Sequence, residues 1–188
     1  SAFGVFATEG VRHAPSPMLM FSALILGLGL YLGSIDNPLM RPAQALTALN
    51  PAVAGRGGWS AIWLQPTPAH GGAQEVYRPV LQTLLWLEWR VWGNSPSSFH
   101  AFNLLLFLGA IFLSQLLAGR MTAHPGARMA AGLLPALHPM ASQSVLGVDG
   151  QGALLSLLAC LAGCLELLRW RRTRRGAALI AACQAVAV

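Results

Sequence analysis

The stretch AFNLLLFLGAIFLSQLLA, residues Ala101–Ala118, contains no charged side chain, and Arg120 follows it closely. A helix that crosses a bilayer needs about 20 consecutive, mostly apolar residues. Ala101–Ala118 is nearly that long, and the arginine is a suitable stop at the membrane surface. The stretch therefore predicts a transmembrane helix, and with it an integral membrane protein.

The composition of the whole chain agrees with this prediction. Of 188 residues, 55% are hydrophobic and 10% are charged, whereas ordinary soluble domains carry about 25% charged residues. All twelve basic residues are arginine, and five of them lie in RWRRTRR, Arg169–Arg175, between two apolar runs. A nucleic-acid-binding surface would need a soluble domain to carry it. The net charge of +6 therefore reflects arginines that orient the chain in the membrane. We expect no nucleic-acid partner.

Further apolar runs lie before and after Ala101–Ala118, which is the second of the predicted spans. They predict an all-α, multi-span helical bundle with a first span at 17–35, a third at 127–148, a fourth at 153–168 and the start of a fifth at 176–188. Residues 1–16 would form an N-terminal segment on the cytoplasmic side. Because the chain begins at Ser1 and ends within an apolar run, we expect it to be a piece of a longer protein.

The arginines predict the orientation of these spans. If every span crosses the membrane, Arg12, the pair Arg120 and Arg128, and the cluster at 169–175 fall on one side. Short cytoplasmic loops are enriched in arginine, so this side is the cytoplasm. Asp36 and Asp149 then lie together on the outer, periplasmic side, and the N-terminus is cytoplasmic.

The outer loop, residues 36–100, is long and rich in proline, glycine and tryptophan. Within it, Pro79–Trp92 is too short to cross a membrane. Its helical projection gives one apolar face, formed by Val80, Leu84, Leu87 and Val91. Leu81, Leu85 and Trp92 widen this face. Glu88 interrupts it. This pattern predicts an interfacial helix that lies along the membrane surface. A second, weaker interfacial helix is predicted at 42–53.

Polar residues that could carry chemistry gather on the outer side of the predicted bundle. Each has a structural alternative: a turn after a helix, a helix cap, a helix kink or a contact with a lipid headgroup. As a set, they suit a lipid-linked phosphate substrate, because arginine pairs with phosphate oxygens and a carboxylate binds metal or accepts a hydroxyl proton. The candidates are Asp36, Asn37, Arg78, His100, Asn103, His138 and Asp149.

Four motifs in a fixed order carry a family resemblance. They are SIDNPLM (34–40), YRPVLQTLLWLEWRVWG (77–93), NSPSSFHAFNLLLF (94–107) and ALHPMASQSVLG (136–147). Their order and spacing resemble the N-terminal membrane region of the tetratricopeptide-linked protein O-mannosyltransferase-like family and its bacterial relatives, which are multi-span glycosyltransferases of the GT-C fold. The resemblance covers about residues 33–171.

The resemblance implies sugar transfer from a polyprenyl-phosphate donor at the periplasmic face of a bacterial inner membrane. In the family's pattern, Asp36 would be the catalytic base or a metal-associated group, which leaves a divalent metal open as a cofactor. The remaining candidates would bind phosphate or sugar: Asn37, Arg78, His100, Asn103, His138 and Asp149. The implied partners are the lipid-linked sugar and membrane lipids.

The chain departs from the family's pattern in GVDGQGALLS, residues 147–156. Gln151 stands where the family carries an arginine, and Ala153 stands where it carries an acid. Asp149 is offset from the expected acid by four residues, and no second acid adjoins Asp36. Two alternatives therefore stay open: an inverting glycosyltransferase, or a catalytically silent relative that packs as a subunit within a larger membrane complex.

A third hypothesis, from a different class, is ligation of a haem or another tetrapyrrole by His100 or His138, because histidine binds metals readily. The sequence establishes no pair of histidines on facing helices. Cys160, Cys164 and Cys183 lie within apolar runs without metal-ligand spacing. We expect these cysteines to be small, buried packing residues.

Overall fold

The computed structural model describes residues 17–39, 41–64, 66–68 and 75–173. Helices dominate these residues: α1 Pro17–Tyr31, α2 Arg41–Leu46, α3 Gly58–Leu64, α4 Pro79–Trp92, α5 Pro96–Met121, α6 Pro125–Leu137, α7 Pro139–Leu146 and α8 Gln151–Thr173. Two-residue strands, β1 Thr67–Pro68 and β2 Glu75–Val76, pair antiparallel. Apart from this small ribbon, the all-helical prediction is confirmed.

Two of the described helices are long and apolar enough to cross a membrane, Pro96–Met121 and Val148–Arg171. They contain the predicted second and fourth spans. A shorter apolar helix, Phe21–Ser34, lies within the predicted first span. Helix α5 begins earlier than predicted because Pro96 suits the first turn of a helix, where its missing N–H costs no hydrogen bond. His100 consequently lies inside α5 rather than before it.

The predicted third span is two helices, α6 and α7, rather than one. His138, between them, has φ −70° and ψ 128°, an extended conformation. Pro139 explains this break, because the ring of a proline disfavours the α conformation of the residue before it. The kink expected at this His-Pro pair is therefore a complete interruption of the helix.

Helix α5 packs against α1, α6, α7 and α8 and lies at the centre of the described bundle. Tyr31 at the end of α1 meets Phe107 of α5 edge to face, with ring centroids 5.3 Å apart. The buried apolar residues around this contact are Ala23, Leu104, Phe107, Ile111, Ala136, Val145 and Leu154. This core joins helices that are far apart in the sequence.

A second core joins the outer segment to the end of the bundle where α5 and α8 begin. Its buried members are Leu39, Ala43, Leu46, Val53, Leu81, Leu85, Phe99 and Val148. Helix α2 contributes to this core. It is shorter than the helix predicted at 42–53, because the chain forms turns after Leu46. Helix α3, which the sequence patterns did not predict, packs on α4 through Trp59 and Trp86, with ring centroids 5.3 Å apart.

One side of α4 agrees with the prediction and the other does not. Val80, Leu87 and Val91 are exposed, as expected for a face turned towards lipid. Leu81 and Leu85, which were expected to widen that face, are buried on the side that packs against the bundle. Helix α4 therefore has two apolar faces, one packed and one open.

Some sequence predictions fall outside the described residues, namely the segment 1–16, the fifth span at 176–188 and Cys183. Two others need correction. Cys160 and Cys164 are exposed on α8 rather than buried, since no described helix covers that side of α8.

Candidate functional site

Three junctions of the chain meet at one end of the bundle. They are the turn after α1, the start of α5, and the turn before α8. Leu39, Phe99 and Val148, one from each junction, share the same buried core. We call the polar residues at these junctions the junction cluster: Asp36, Asn37, His100, Asn103, Asp149 and Gln151.

The turn after α1 exposes Asp36, the carboxylate that the resemblance implies as the catalytic base, at the surface of the protein. The hydroxyl of Ser34 donates a hydrogen bond to the carbonyl of Tyr31 at 2.6 Å, and the backbone N–H of Asn37 donates to the carbonyl of Ser34 at 3.1 Å. Pro38 follows and prevents the helix from continuing. The side chains of Asp36 and Asn37 are exposed as a result.

His100 lies below this turn with only 3% of its surface exposed. The backbone of Asn37 lies against its imidazole ring. Within the described part of the chain, neither ring nitrogen has a hydrogen-bond partner of good geometry. The structure thus brings together His100 and the Asp36–Asn37 turn, as the sequence predicted, and leaves the imidazole with unused hydrogen-bonding capacity.

Asn103 lies almost one helical turn beyond His100 and is fully buried. Its Nδ2 is 2.9, 2.7 and 2.9 Å from the carbonyl oxygens of Ser144, Val145 and Gly147. The last carbonyls of a helix have no partner within it, so Asn103 caps the C-terminal end of α7. Its Oδ1 has no partner among the described residues. Substrate binding by Asn103 remains a prediction, and it concerns Oδ1, because Nδ2 is occupied by the cap.

The turn before α8 is tight, and two glycines make it possible. A Cβ at Gly150 would collide with the backbone of Ser144, and a Cβ at Gly147 would collide with the carboxylate of Asp149. The N–H of Gly150 donates to the carbonyl of Gly147 at 2.9 Å. Asp149 is half-buried and its carboxylate folds back over this turn.

Glu88 is a site residue that the sequence patterns did not reveal. It is 1% exposed on α4, and Nε2 of the fully buried Gln151 donates to its Oε2 at 3.2 Å. Burial raises the pKa of Glu88 to about 7, against the smaller opposing effect of this hydrogen bond. Its spacing of three from Leu85 and seven from Leu81 is the signal that could have placed Glu88 on the packed face.

Arg78 and His138 lie apart from the junction cluster. Arg78 is exposed immediately before α4, and among the described residues no hydrogen bond or ion pair joins it to the cluster. His138 is exposed at the α6–α7 break, and the eight residues of α7 span about 12 Å before Gly147. The structure therefore groups Asp36, Asn37, His100, Asn103 and Asp149, but not the remaining two candidates.

The described residues contain no group of three or more histidine, cysteine, aspartate or glutamate side chains placed to hold a metal ion. Asp36 accordingly has no set of co-ligands within this part of the chain. A divalent metal at Asp36 and a tetrapyrrole at His100 or His138 therefore stay predictions.

A helical chain with long apolar helices and a polar end has the character of a membrane protein. Its sequence is similar to the protein O-mannosyl-transferase TMTC2 of Mus musculus, with 27% identity over 150 residues. The similarity covers 74% of this chain and 18% of the mouse protein, so the chain spans about a fifth of that relative's length. No protein-family model and no solved structure matches the chain. The comparison gives distant support to the family resemblance seen in the motifs.

Proposed function

We propose that the chain belongs to a membrane-embedded, glycosyltransferase-like protein that binds a polyprenyl-phosphate-linked sugar at the junction cluster. The similarity to an O-mannosyl-transferase and the two long apolar helices support the general class. The observation that supports the location is the backbone of Asn37, the residue after exposed Asp36, which lies against the buried imidazole of His100. Such an imidazole gains free energy when a ligand or water completes its hydrogen bonds.

The chemistry follows from the residue types. A hydroxyl of the acceptor attacks C1 of the sugar while Asp36 takes the hydroxyl proton. The new carbon–oxygen bond forms as the bond from C1 to the phosphate oxygen breaks, and the electron pair leaves with the polyprenyl phosphate. Attack from the opposite face inverts C1. His100 hydrogen-bonds to the phosphate or the sugar, whereas Arg78, which lies apart from the junction cluster, has no part in this step.

The proposed placement is multi-pass in a bacterial inner membrane, with the junction cluster at the periplasmic face and the N-terminus in the cytoplasm. Arg120 and Arg169 support it, because they lie at the far ends of α5 and α8, whose beginnings carry residues of the cluster. Arg128 donates to the carbonyls of Thr122 and Gly119 at 3.2 and 3.3 Å, next to the end of α5. Arginines at that end suit the cytoplasmic side.

Transfer from a defined donor tests the proposal. The full protein would be reconstituted in lipid nanodiscs with polyprenyl-phosphate-linked mannose and a hydroxyl-bearing peptide acceptor. Asp36→Asn is expected to lower the rate by about 10²- to 10⁴-fold, because the amide cannot take the proton. Glu166→Gln, which removes an acid from the far end of α8, should leave the rate unchanged. Equal rates for Asp36→Asn and the wild type would exclude Asp36 as the base.

One observation favours the alternative of a catalytically silent subunit within a larger membrane complex. Gln151 stands where the resemblance implies an arginine, and it is buried and hydrogen-bonded to Glu88. This position therefore presents no cation to a substrate. Purification from native membranes separates the alternatives. A silent subunit would copurify in fixed stoichiometry with other membrane proteins and transfer no sugar, whereas an enzyme would retain transfer activity.

A further inference from the structure

Glu88 and Gln151 form a buried polar contact between α4 and α8, beside an apolar core. We infer that the two side chains form a buried proton-binding site, in which Glu88 is a neutral carboxylic acid paired with the carboxamide of Gln151. The inference does not depend on sugar transfer.

The hydrogen bonds available to the two groups carry the inference. Nε2 of Gln151 donates to Oε2 of Glu88 at 3.2 Å. The other oxygen of each group, Oε1 of Glu88 and Oε1 of Gln151, is buried and has no partner among the described residues. An ionised carboxylate only accepts hydrogen bonds, so it cannot satisfy the amide oxygen. A proton on Oε1 of Glu88 supplies the donor that the pair lacks, and it permits the two-bond ring of an acid–amide pair.

The surroundings favour the neutral acid. Leu81 and Leu85 flank Glu88 on the packed face of α4, and Leu155 of α8 lies against the same core. A carboxylate in such a core without a cation carries a large desolvation cost. Burial correspondingly raises the pKa of Glu88 to about 7.

Among the charged side chains that the structure describes, none on a neighbouring element offsets this cost. No described cation forms an ion pair with Glu88. Arg78 and Arg90 of α4 are exposed, and the guanidinium of Arg90 lies over the Trp86 ring, 5.2 Å from its centroid. Helix α3 has no titratable group. The other titratable groups on elements that share this core are Arg41 at the start of α2, His100 and Arg120 of α5, Asp149 in the turn before α8, and Cys160, Cys164, Glu166, Arg169, Arg171 and Arg172 along α8.

A mechanical consequence follows for α4. With Glu88 neutral, the pair fastens α4 to the start of α8. Ionisation leaves a carboxylate buried among leucines and weakens this attachment. Helix α4 carries Arg78 at its beginning and the exposed apolar face along its length, so the proton on Glu88 controls how firmly these features are held.

Infrared spectroscopy of the full protein in nanodiscs tests the inference. The wild type should show the carbonyl stretch of a protonated, hydrogen-bonded carboxylic acid at pH 6, and this band should disappear as the pH is raised past neutrality. Glu88→Gln, which is nearly isosteric, should lack the band at every pH. Glu166→Gln, at an acid that pairs with Arg169 at 3.4 Å, should keep it.

A charge substitution at the partner provides the second variant. Gln151→Arg supplies the missing cation, so the band should be absent at pH 6 because Glu88 is ionised beside the arginine. The inference is overturned if the folded wild type shows no such band at pH 6, if the band survives in Glu88→Gln, or if Gln151→Arg titrates like the wild type.

Discussion

At the scale of single residues, buried polar groups set the stability of the protein and its dependence on pH. Glu88, His100, Asn103 and Gln151 are each at most 3% exposed. In an apolar environment such groups stabilise a fold only when their hydrogen bonds are made, and they destabilise it when a partner is removed. Two of them allow quantitative predictions.

Glu88 should make the folded protein more stable in acid than in alkali. Its pKa rises from 4.5 to about 7 on folding. Below about pH 4.5 the carboxyl is neutral in both states, and its contribution is complete. Between these pKa values only the unfolded chain ionises, so stability falls, and above about pH 7 the loss levels off. The difference of about 2.5 pH units corresponds to roughly 3 kcal/mol.

The free energy of unfolding in mild detergent, measured from pH 4.5 to pH 8, checks this prediction. The wild type should lose roughly 3 kcal/mol more than Glu88→Gln over this range, since the variant has no carboxyl to titrate. Parallel pH profiles for the two proteins would show that Glu88 has an ordinary pKa in the fold.

Asn103→Leu should destabilise the protein by about 1–3 kcal/mol, because it leaves the carbonyls at the end of α7 without a donor while preserving the size of the side chain. Asn94→Leu, at an exposed position in the turn before α5, is the matched control and should change stability little. Chemical denaturation in detergent measures both. A loss at Asn103 no larger than at Asn94 would contradict the capping role.

The sequence predicted a common location for some candidate residues and missed the contact between others. The Asp36–Asn37 turn and His100 were predicted to lie at one face, and the structure brings them into contact. Glu88 was expected only to interrupt an apolar face, because a helical projection does not show which of two apolar arcs is packed. Gln151 was recognised as a departure from a pattern, but its partner on α4 is 63 residues away in the sequence and depends on the tertiary fold.

At the scale of elements, breaks and tight turns position the junction cluster. A single third span was predicted at 127–148, although a local rule accounts for its interruption at His138, because proline acts on the residue before it. The extent of α3 and the shortness of α2 were not predictable in this way, since short helices depend on tertiary packing more than on their own propensity.

The turn from α7 to α8 should tolerate no side chain at Gly150. Gly150→Ala places a Cβ against the backbone of Ser144 and should cost about 1–3 kcal/mol, because backbone rather than a flexible side chain must move. Gly29→Ala on α1 is the control, as no described atom beyond its chain neighbours and the nearby backbone of α1 lies within 4 Å of the position that the added methyl group would take. That change should be neutral or stabilising, given the helix propensity of alanine. Chemical denaturation compares the two variants, and equal effects at the two glycines would contradict the tight turn.

The exposed face of α4 should contact lipid. Leu87→Glu puts a charge on this face, which weakens its contact with lipid, and should therefore reduce the quenching of tryptophan fluorescence by brominated lipids. Tryptophan fluorescence reports on this region because five of the six tryptophans lie between residues 59 and 92. Leu49→Glu, at an exposed leucine in the turn after α2, is the matched control and should change quenching less. Unchanged quenching in Leu87→Glu would mean that this face does not meet the membrane.

At the scale of the whole molecule, the two ends of the bundle differ in chemistry. One end carries the junction cluster, with an exposed acid and a buried imidazole, and beside it the contact of Glu88 with Gln151, whereas arginines gather at the other end. Composition and apolar runs predicted the helical class correctly. They could not show which residues of the outer segment pack onto α5 and α8, because those contacts form between segments that are distant in the sequence.

Binding of a lipid-linked sugar at the junction cluster is the central functional proposal, and photo-crosslinking is its sharpest test. A polyprenyl-phosphate-linked mannose with a photoactivatable group on the sugar would be crosslinked to the full protein in nanodiscs, and the labelled peptides would be identified by mass spectrometry. We expect labelling around Asp36, Asn37 and His100, reduced by excess unmodified donor. Labelling confined to the arginine end near Arg120 and Arg128, or labelling that excess donor does not reduce, would contradict the proposal.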